Sequence, residues 1–526
     1  MGFLDWSVIG AYFIFLLLFG YFIGRKNHDQ DDYYVADRKL SWWAVGISTM
    51  ATQSSAISFI SIPAFVAVKE GGGLKWLQYE LAVPLAMILT SIFLIPLFRR
   101  LKLISVYEYL QMRYDSRVRN TVSFIFLLSR ALGTGIALYA TAIVMQSITG
   151  SPLWVSILGM GFIILVYDTL GGMRAVVYSD ILQMGLLVLG VMVCIYIAVD
   201  ITGGVHAVFE TFPKERLQTL DFGWGLSAEG GMPFWAFLFG GFFLYTAYYG
   251  TDQSQVQREL STKNIDDSKR SLYFNGFARF PLTLLYAMMG ITVGALYLQD
   301  ASLQAGVAAA SADHLIPLFI LAYLPDGVKG LLIAAILAAA MSSIDSALNS
   351  LSAVTLHDFV LKEQHIKGAK EIRLGQITTI FWGIAIITFA FLVGSIADTV
   401  IEAINKIGSA FYGPVLAVFL AGALHKRIGS KTILIGLFNG VGVNLLLWLV
   451  HPEVMWMWWN VTGLVVAYMS AWVLSLTCGK ESEKGSNYTA EHNIALKWTR
   501  MDTLLAGYFL MMIIVLWLIN KGLPHL

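Results

Sequence analysis

The stretch AAAMSSIDSALNS, residues 338–350, places polar side chains in the middle of an otherwise apolar run. Residues three and four apart share one face of a helix. Ser342, Asp345, Ser346 and Asn349 follow this spacing, so they form one polar row. The pattern predicts a membrane helix whose polar row faces protein or water.

Two interpretations of this row stay open. Serines allow helices to pack closely, and they bond to carbonyl groups of their own helix. Asp345 favours a second interpretation, because a carboxylate at membrane depth is costly and normally faces a partner or a hydrated path. Clustered hydroxyl and carboxylate oxygens suit a hard cation such as sodium, and they do not suit zinc or copper.

The composition predicts an all-α polytopic membrane protein. Of the 526 residues, 57% are hydrophobic and 13% are charged, whereas soluble proteins carry about 25% charged residues. One helical span needs about 20 apolar residues, and continuous apolar runs exclude the alternating strands of a barrel. Fourteen segments of one domain, 1–526, meet this measure: about 5–24, 43–66, 76–98, 118–147, 152–169, 177–200, 234–250, 272–298, 328–356, 375–394, 400–424, 430–450, 454–477 and 503–520.

The positive charges predict the orientation. Most of the 35 Lys and Arg residues fall in alternate loops, which the positive-inside rule assigns to the cytoplasm. Both termini then lie outside a multi-pass protein of the plasma membrane, or of the inner membrane in a bacterium. A net charge of +1 does not indicate nucleic acid as a partner. The lipid bilayer is the predicted partner, and no obligate protein partner is indicated.

The second predicted span is interrupted by polar residues. The run ATQSSAISFIS, residues 51–61, is followed by Pro63. Polar breaks of this kind expose carbonyl groups to ions and solutes in secondary transporters, although a continuous polar helix is the alternative. Asp180 is a further intramembrane acid, which is also explained as a helix-start residue favoured by the helix dipole.

Four motifs resemble the sodium/solute symporter family: DDYYVADRKLSWWAVGIS, TDQSQVQREL, AAAMSSIDSALNS and YGPVLAVFLAG. The resemblance covers nearly the whole chain. It implies a LeuT-type fold with alternating access, made of two inverted five-helix repeats and extra helices. The first repeat would span about 43–200 and the second about 234–424, with peripheral helices at 5–24, 430–450, 454–477 and 503–520.

The resemblance also implies sodium sites. The family's shared site corresponds to the carbonyls of Ala51, Ser54 and Ala339 and the hydroxyls of Ser342 and Ser343. We refer to these five residues as the first cation set.

A second site of the sialic acid transporters corresponds to Asp180, Asp345 and Ser346, the second cation set. Asp345 departs from the serine of that family member. The extra carboxylate would either strengthen the site or make it sensitive to protons, so a second sodium stays open.

Arg130 is the residue that suggests a carboxylate-bearing solute. It lies too deep to reach the membrane surface easily, and its planar fork suits a carboxylate. A buried ion pair with Glu80 or Asp180 is the alternative. By resemblance to the sialic acid transporters, Arg130 would meet the substrate carboxylate. Further substrate contacts carried over from the sialic acid and galactose members are Gln53, Ser55, Ser58 and Gln78.

Tyr248 and Tyr249 are the predicted gate residues of the seventh span. Tyr248 matches the inner-gate tyrosine of the galactose transporter. The alternative is an aromatic belt at the membrane interface.

The predicted function is sodium-coupled import of a small hydroxylated solute, with a sugar acid such as sialic acid as the first candidate. A neutral-sugar or monocarboxylate symporter of the same family, or a proton-coupled transporter, remains the alternative. The chain has no filter motif or repeated charge ring of a channel. An enzyme is not predicted, because no HExxH motif occurs and the histidines lie mostly in loops or at span ends.

Overall fold

The structure is a computed structural model of the 526-residue chain, and it is helical almost throughout. It describes residues 1–24, 34–101, 103–171, 173–226, 231–361, 369–392, 399–478 and 497–522. The predicted span at 375–394 therefore ends outside the described residues.

The helices follow one another with short connections. In the first half of the chain they are α1 (Phe3–Gly24), α2 (Trp42–Gln53), α3 (Ala56–Ala67), α4 (Leu74–Leu101), α5 (Glu108–Arg113), α6 (Ser116–Thr149), α7 (Leu153–Gly171), α8 (Met173–Thr202) and α9 (Val205–Thr211). In the second half they are α10 (Gly241–Thr251), α11 (Gln253–Leu260), α12 (Ile265–Gln299), α13 (Ala301–Ala308), α14 (Leu315–Tyr323), α15 (Val328–Val354), α16 (Ala369–Ala390), α17 (Val400–Leu424), α18 (Ser430–Val450), α19 (Trp458–Cys478) and α20 (Arg500–Gly522).

The predicted count of fourteen membrane helices is not confirmed. Within the described ranges, 11 helices are long and apolar enough to cross a membrane, and the bent pair α2 and α3 raises the number to 12. The other two predicted segments lie on helices too short for the same criterion. These are α7, whose described apolar part is Leu153–Val166, and α10, which a π-helical turn at Ala236–Gly240 precedes.

The second predicted span is broken, as the polar run indicates. α2 and α3 meet at an angle of 53° across Ser54 and Ser55. Ser54 still closes the last turn of α2, because its amide donates to the carbonyl of Met50 at 2.8 Å. Ser55 then adopts extended backbone, and its hydroxyl accepts from the amide of Ile57, which caps α3.

Helix α15 lies at the centre of the molecule. Nearly all of its side chains are buried, including every polar residue of the row at 342–350. It packs against α8, α6, α1 and both halves of the broken helix. In contrast, α1, α18, α19 and α20 expose long apolar side chains, as expected for helices that face lipid. The polar row therefore faces protein.

A hairpin of α13 and α14 connects α12 to α15 and bonds to the broken helix. Asp313, in the turn before α14, accepts from the hydroxyl of Ser61 in α3 at 2.6 Å and from the amide of Val400 at 3.0 Å. Burial raises the pKa of Asp313 to about 6 despite these bonds. One carboxyl group thus joins the hairpin to α3 and to the first residue of α17.

Glycines allow α17 and α19 to approach closely. A Cβ atom built on Gly413 would lie 2.2 Å from the carbonyl oxygen of Asn460. A backbone atom cannot move away as a flexible side chain can, so this contact requires glycine. Gly442, on the neighbouring α18, has nothing within 4 Å of the same built position.

We predict that Gly413→Ala lowers the melting temperature of the detergent-solubilised protein. Overpacking of this kind costs about 1–3 kcal/mol, and a thermal-shift assay measures the result. Gly442→Ala is the matched control, expected to leave the melting temperature unchanged or slightly raised because alanine favours the helix. Equal effects of the two substitutions would contradict the close approach of α17 and α19.

Candidate functional site

The structure brings the first cation set together at the break between α2 and α3. Ala51 and Ser54 come from the end of α2, and Ala339, Ser342 and Ser343 come from the facing side of α15; all five are buried. The hydroxyl of Ser343 spans the two helices, because it donates to the carbonyl of Thr52 at 3.2 Å and to that of Ala339 at 3.3 Å.

The donors of the first cation set are neutral carbonyl and hydroxyl oxygens. Within the described residues there is no group of three or more His, Cys, Asp or Glu side chains that could hold a metal ion. The hydroxyl of Ser54 shares a 2.9 Å hydrogen bond with Tyr286 of α12. Neutral oxygen ligands at a helix break fit a hard monovalent cation and disfavour a soft transition metal.

The second cation set surrounds an arginine. Asp180 of α8 accepts hydrogen bonds from Ser342 and Ser48 and pairs with Arg258 of α11 at 3.4 Å. Arg258 also donates to the hydroxyl of Ser346. The side chain of Asp345 is buried one turn before Asn349. The guanidinium of Arg258 therefore contacts two of the three members of the set predicted to hold sodium.

Helix α11 anchors this arginine. All eight residues of α11 are buried. Besides its contacts to the second cation set, Arg258 donates to Ser48 of α2 at 2.9 Å. Next to it, Glu259 accepts from Thr49 of α2 at 3.1 Å and from Ser271 of α12. Burial raises the pKa of Glu259 to about 7, although both hydroxyls favour the charged form. α11 thus ties α2, α8, α12 and α15 together on the side predicted to be cytoplasmic.

A cavity of about 120 Å³ lies beside the first cation set. The predicted residues Gln53, Ser55, Ser58, Arg130 and Tyr248 line it, together with Thr52 and Ser343 from the cation set's own neighbourhood. Carbonyl and hydroxyl donors for a cation and side chains for a solute thus share one stretch of the broken helix.

Two buried ion pairs lie at the cavity wall. Arg279 of α12 holds Glu80 of α4 with two contacts, at 3.1 and 3.4 Å. Arg130 of α6 pairs with Asp252 at 3.7 Å. The alternative partners predicted for Arg130, Glu80 and Asp180, are therefore wrong: both are taken by other arginines. The sequence could not assign the pairs, because the helices that carry them are distant along the chain.

The contact between Arg130 and Asp252 is loose. Its length exceeds the range of a hydrogen bond, and the buried Nε of Arg130 has no hydrogen-bond partner among the described atoms. Asp252 already caps α11 through the amide of Ser254 at 2.9 Å. The face of Tyr248 lies 5.9 Å from the Arg130 guanidinium. A guanidinium in this state keeps hydrogen-bonding capacity for an anion.

The two predicted gate tyrosines occupy different positions. Tyr248 lines the cavity, and its hydroxyl accepts from the amide of Gln255 at 2.7 Å. Tyr249 is fully buried behind it and donates a hydrogen bond to Gln53. The aromatic-belt alternative does not describe either residue, because both lie inside the helix bundle.

Gln78 lies apart from the cavity that the other predicted solute residues line. Its amide donates to the carbonyls of Lys75 and Met232 and accepts from the amide of Asp221 at 2.9 Å. These backbone groups fix the side chain in the loop region below α9. Residues that the sequence reasoning missed, Glu80, Arg279, Tyr79, Asn405 and Tyr412, line the cavity instead. The signal for the first two was a pair of opposite charges within predicted spans.

Comparison with known proteins agrees with this geometry. Residues 33–440 match the model of the sodium:solute symporter family. The chain is 30% identical over 452 residues to the sodium/sialic acid symporter SiaT of Proteus mirabilis, covering 84% of this chain and 88% of that protein. It is 28% identical over 448 residues to the sodium-coupled monocarboxylate transporter 1 of Xenopus laevis, covering 84% and 69%.

Solved structures confirm the predicted LeuT-type fold. A Na⁺-coupled sialic acid symporter in a substrate-bound, outward-open state matches with a TM-score of 0.80 and 26% identity, covering 91% of this chain and 100% of that one. Mhp1, a nucleobase-cation-symport-1 family transporter, matches with a TM-score of 0.52 and 14% identity over 90% of this chain and 98% of its own. The second likeness concerns the fold alone.

We predict that Glu259→Gln removes part of the pH dependence of stability. A pKa of about 7 in the folded protein, raised from 4.5, means that the folded protein binds the proton more tightly than the unfolded chain does. Glu259 therefore makes the protein less stable as the pH rises from about 4.5 to about 7. The neutral amide of the variant would mimic the protonated carboxyl at every pH.

The expected result is a melting temperature above that of the parent at about pH 8 and equal to it at about pH 5. Thermal-shift assays at the two pH values measure it. Glu70→Gln, at an exposed position, is the control and should change neither value. A Glu259→Gln variant that is equally destabilised at both pH values would show that this carboxyl is charged in the fold.

Proposed function

Because the chain belongs to the sodium:solute symporter family, we propose that it imports a carboxylate-bearing organic solute together with sodium by alternating access. Its relatives are symporters, so the chain is a membrane transporter and not an enzyme. Sialic acid is the first candidate for the solute. Both termini would lie outside the cell membrane, as the distribution of Lys and Arg predicts.

The observation that carries this proposal is the state of Arg130. Its guanidinium lies on the cavity wall, one of its donors is unused, and its contact with Asp252 is longer than a hydrogen bond. A carboxylate that enters the cavity can form the charge-assisted bonds that Asp252 does not supply. Arg279 cannot take this role at equal cost, because Glu80 already engages it with two contacts.

The cavity volume favours a second candidate solute. About 120 Å³ is small beside the 300–1,000 Å³ typical of ligand sites. A short monocarboxylate suits this volume, whereas a sugar acid requires the cavity to expand. Both solutes would present a carboxylate to Arg130, and relatives of both kinds are similar to this chain. The hydroxyls of Ser55 and Ser58 at the cavity wall favour a hydroxylated solute.

We assign sodium to the first cation set. Ser343 supports this assignment, because its hydroxyl already reaches carbonyl oxygens from both helices and lines the solute cavity. Sodium bound there would hold α15 against the broken helix, which also carries the solute contacts Gln53, Ser55 and Ser58. Binding of the ion and binding of the solute would then stabilise the same arrangement of α2 and α3.

We assign no sodium to the second cation set in this arrangement. Arg258 already places a positive charge against Asp180 and a donor on Ser346. A sodium ion there would have to displace a guanidinium that Ser48 and the carbonyl of Ser254 also hold, at 2.9 and 2.6 Å. The proposal is therefore one sodium ion for each solute.

We predict that Ser343→Ala raises the sodium concentration for half-maximal uptake about fivefold, since one oxygen ligand is worth about 1 kcal/mol. Uptake of labelled solute into proteoliposomes under an imposed sodium gradient measures it. The slope of the sodium dependence should indicate one ion in parent and variant.

The control is Ser475→Ala on α19, where the hydroxyl only bonds to the carbonyl of Trp472 at 2.6 Å. Unchanged sodium dependence in Ser343→Ala would remove this serine from the site. Uptake that follows a pH gradient and ignores sodium would replace the ion by a proton.

We predict that Arg130→Ala lowers kcat/KM for sialic acid or lactate about 30-fold or more, because a buried charge-paired contact is worth about 2 kcal/mol or more. Uptake of galactose, if the parent transports it, should change little. Arg130→Lys should retain part of the activity, since it keeps the charge and loses the fork.

Arg427→Ala, at an exposed position, is the control for loss of an arginine. Thermal-shift assays show whether each variant is folded. Equal uptake of the acid by folded Arg130→Ala and by the parent would contradict the role of Arg130.

A further inference from the structure

A second and larger cavity lies on the side of the molecule that the charge distribution assigns to the exterior. Its volume is about 980 Å³, and α17, the loop before α10 and the loop before α19 form its walls. We refer to it as the outer vestibule. At this volume it falls within the size range of sites that bind small organic molecules, whereas the inner cavity, at about 120 Å³, does not.

Aromatic side chains dominate the outer vestibule. Trp224, Trp448, Trp456 and Trp459 line it. Trp448 and Trp459 stack with their ring centres 5.4 Å apart, so they present a rigid indole surface. Indoles combine a large apolar face with little conformational freedom, and they suit the apolar faces of a sugar ring or an alkyl chain.

The charges at the vestibule leave one cation unpaired. The three acids that line it all have partners: Asp221 pairs with Lys75 at 3.2 Å, Glu402 with Lys69 at 3.6 Å and Glu453 with His451 at 2.8 Å. Lys406 of α17 also lines the vestibule. Among the described residues it has no acid within 4.0 Å. The local charge that remains for a ligand is therefore positive.

Lys406 lies at the boundary between the two cavities. The preceding residue, Asn405, lines the inner cavity and accepts a hydrogen bond from the hydroxyl of Tyr79 at 3.2 Å. Aromatic contacts continue the boundary: Trp456 of the vestibule lies 6.4 Å from Phe237, and Phe237 lies 5.7 Å from Tyr79. One layer of side chains thus separates Lys406 from the inner cavity.

We propose that the outer vestibule is an encounter site for the transported acid, with Lys406 binding the carboxylate and the tryptophans contacting the rest of the solute. This inference rests on the proposed function, since it takes the same carboxylate-bearing solute. The solute binds at the vestibule first and passes to Arg130 when the aromatic layer opens. A positive charge at the entrance raises the local concentration of an anion and its rate of association.

The test compares uptake kinetics of the parent, Lys406→Gln and Lys521→Gln in proteoliposomes, with labelled sialic acid and labelled lactate as probes. Lys406→Gln should raise KM about three- to tenfold and leave kcat within about twofold, because charge at the entrance acts on encounter and not on the later steps. Lys406→Arg should restore the parent KM. Lys521, exposed near the end of α20, is the control and should have no effect.

A binding measurement separates the two cavities. In Arg130→Ala, titration with sialic acid and with lactate, followed by tryptophan fluorescence, should still show weak binding at the vestibule. The double variant Arg130→Ala, Lys406→Gln should lose that binding. Loss of all binding in Arg130→Ala alone would overturn the inference, as would an unchanged KM in folded Lys406→Gln.

Failure of the proposed function gives a different result. If the parent takes up neither acid, the solute assignment fails, and the encounter site for that solute fails with it. If the parent takes up one of them and Lys406→Gln does so with the same KM, the proposed function stands and the vestibule has no part in binding. Quenching by sodium chloride alone, equal with and without the acid, would identify the vestibule as a cation site instead.

Discussion

The rest of the structure depends on the break between α2 and α3. An interrupted helix leaves amide and carbonyl groups without helical partners, and in a membrane interior these must be satisfied by protein. Ser55 caps the new helix, and Ser343 of α15 donates to the carbonyl of Thr52. The polar row of α15 must therefore face the break. That requirement places α15 at the centre of the bundle and positions the cation set beside the solute cavity.

Buried charges impose a second constraint on the helix arrangement. Arg258 faces Asp180, Arg279 faces Glu80 and Arg130 faces Asp252, and each pair joins different elements. Breaking such a pair from one side costs about 3–5 kcal/mol. Two of the pairs are supported by further hydrogen bonds, and the third is loose at 3.7 Å. The loose pair lies at the cavity wall, where a second carboxylate can bind without leaving an arginine unpaired.

Much of this arrangement could be predicted from the sequence, because it depends on local spacing. The polar row follows from the helical repeat, and the break follows from the polar run before Pro63. The partners of the charges could not be predicted in the same way. The sequence suggests Glu80 or Asp180 for Arg130, yet Asp252 reaches it because α10 ends at Thr251 and places the next residue toward α6. Depth in the membrane was readable, and side-chain direction was not.

Gln78 shows the same limit on a smaller scale. It matches a substrate position of related transporters, but its amide is held by Lys75, Met232 and Asp221. Two of these groups belong to the loop between α9 and α10, more than a hundred residues away. The fold of a long loop depends on many weak contacts and leaves little periodic signal. A residue match therefore fixed the position of Gln78 in the helix and not the direction of its side chain.

The two sides of the solute cavity are closed by different kinds of contact. On the predicted cytoplasmic side, α11 inserts Arg258 and Glu259 among four helices, so opening this side must separate a fully buried ion pair at a cost of several kcal/mol. On the outer side the closure consists of aromatic pairs, the bond between Tyr79 and Asn405, the Asp313 bridge and a partly exposed pair between Lys69 and Glu402. Neutral hydrogen bonds are worth about 1 kcal/mol each, aromatic pairs about 0.5–1.5 kcal/mol, and exposed ion pairs less than about 1 kcal/mol. These contacts can break one at a time, whereas the arginine must leave several partners together. The arrangement therefore opens more easily outward, toward the vestibule from which a solute arrives, and the release of Arg258 is the step that must accompany opening to the cytoplasm.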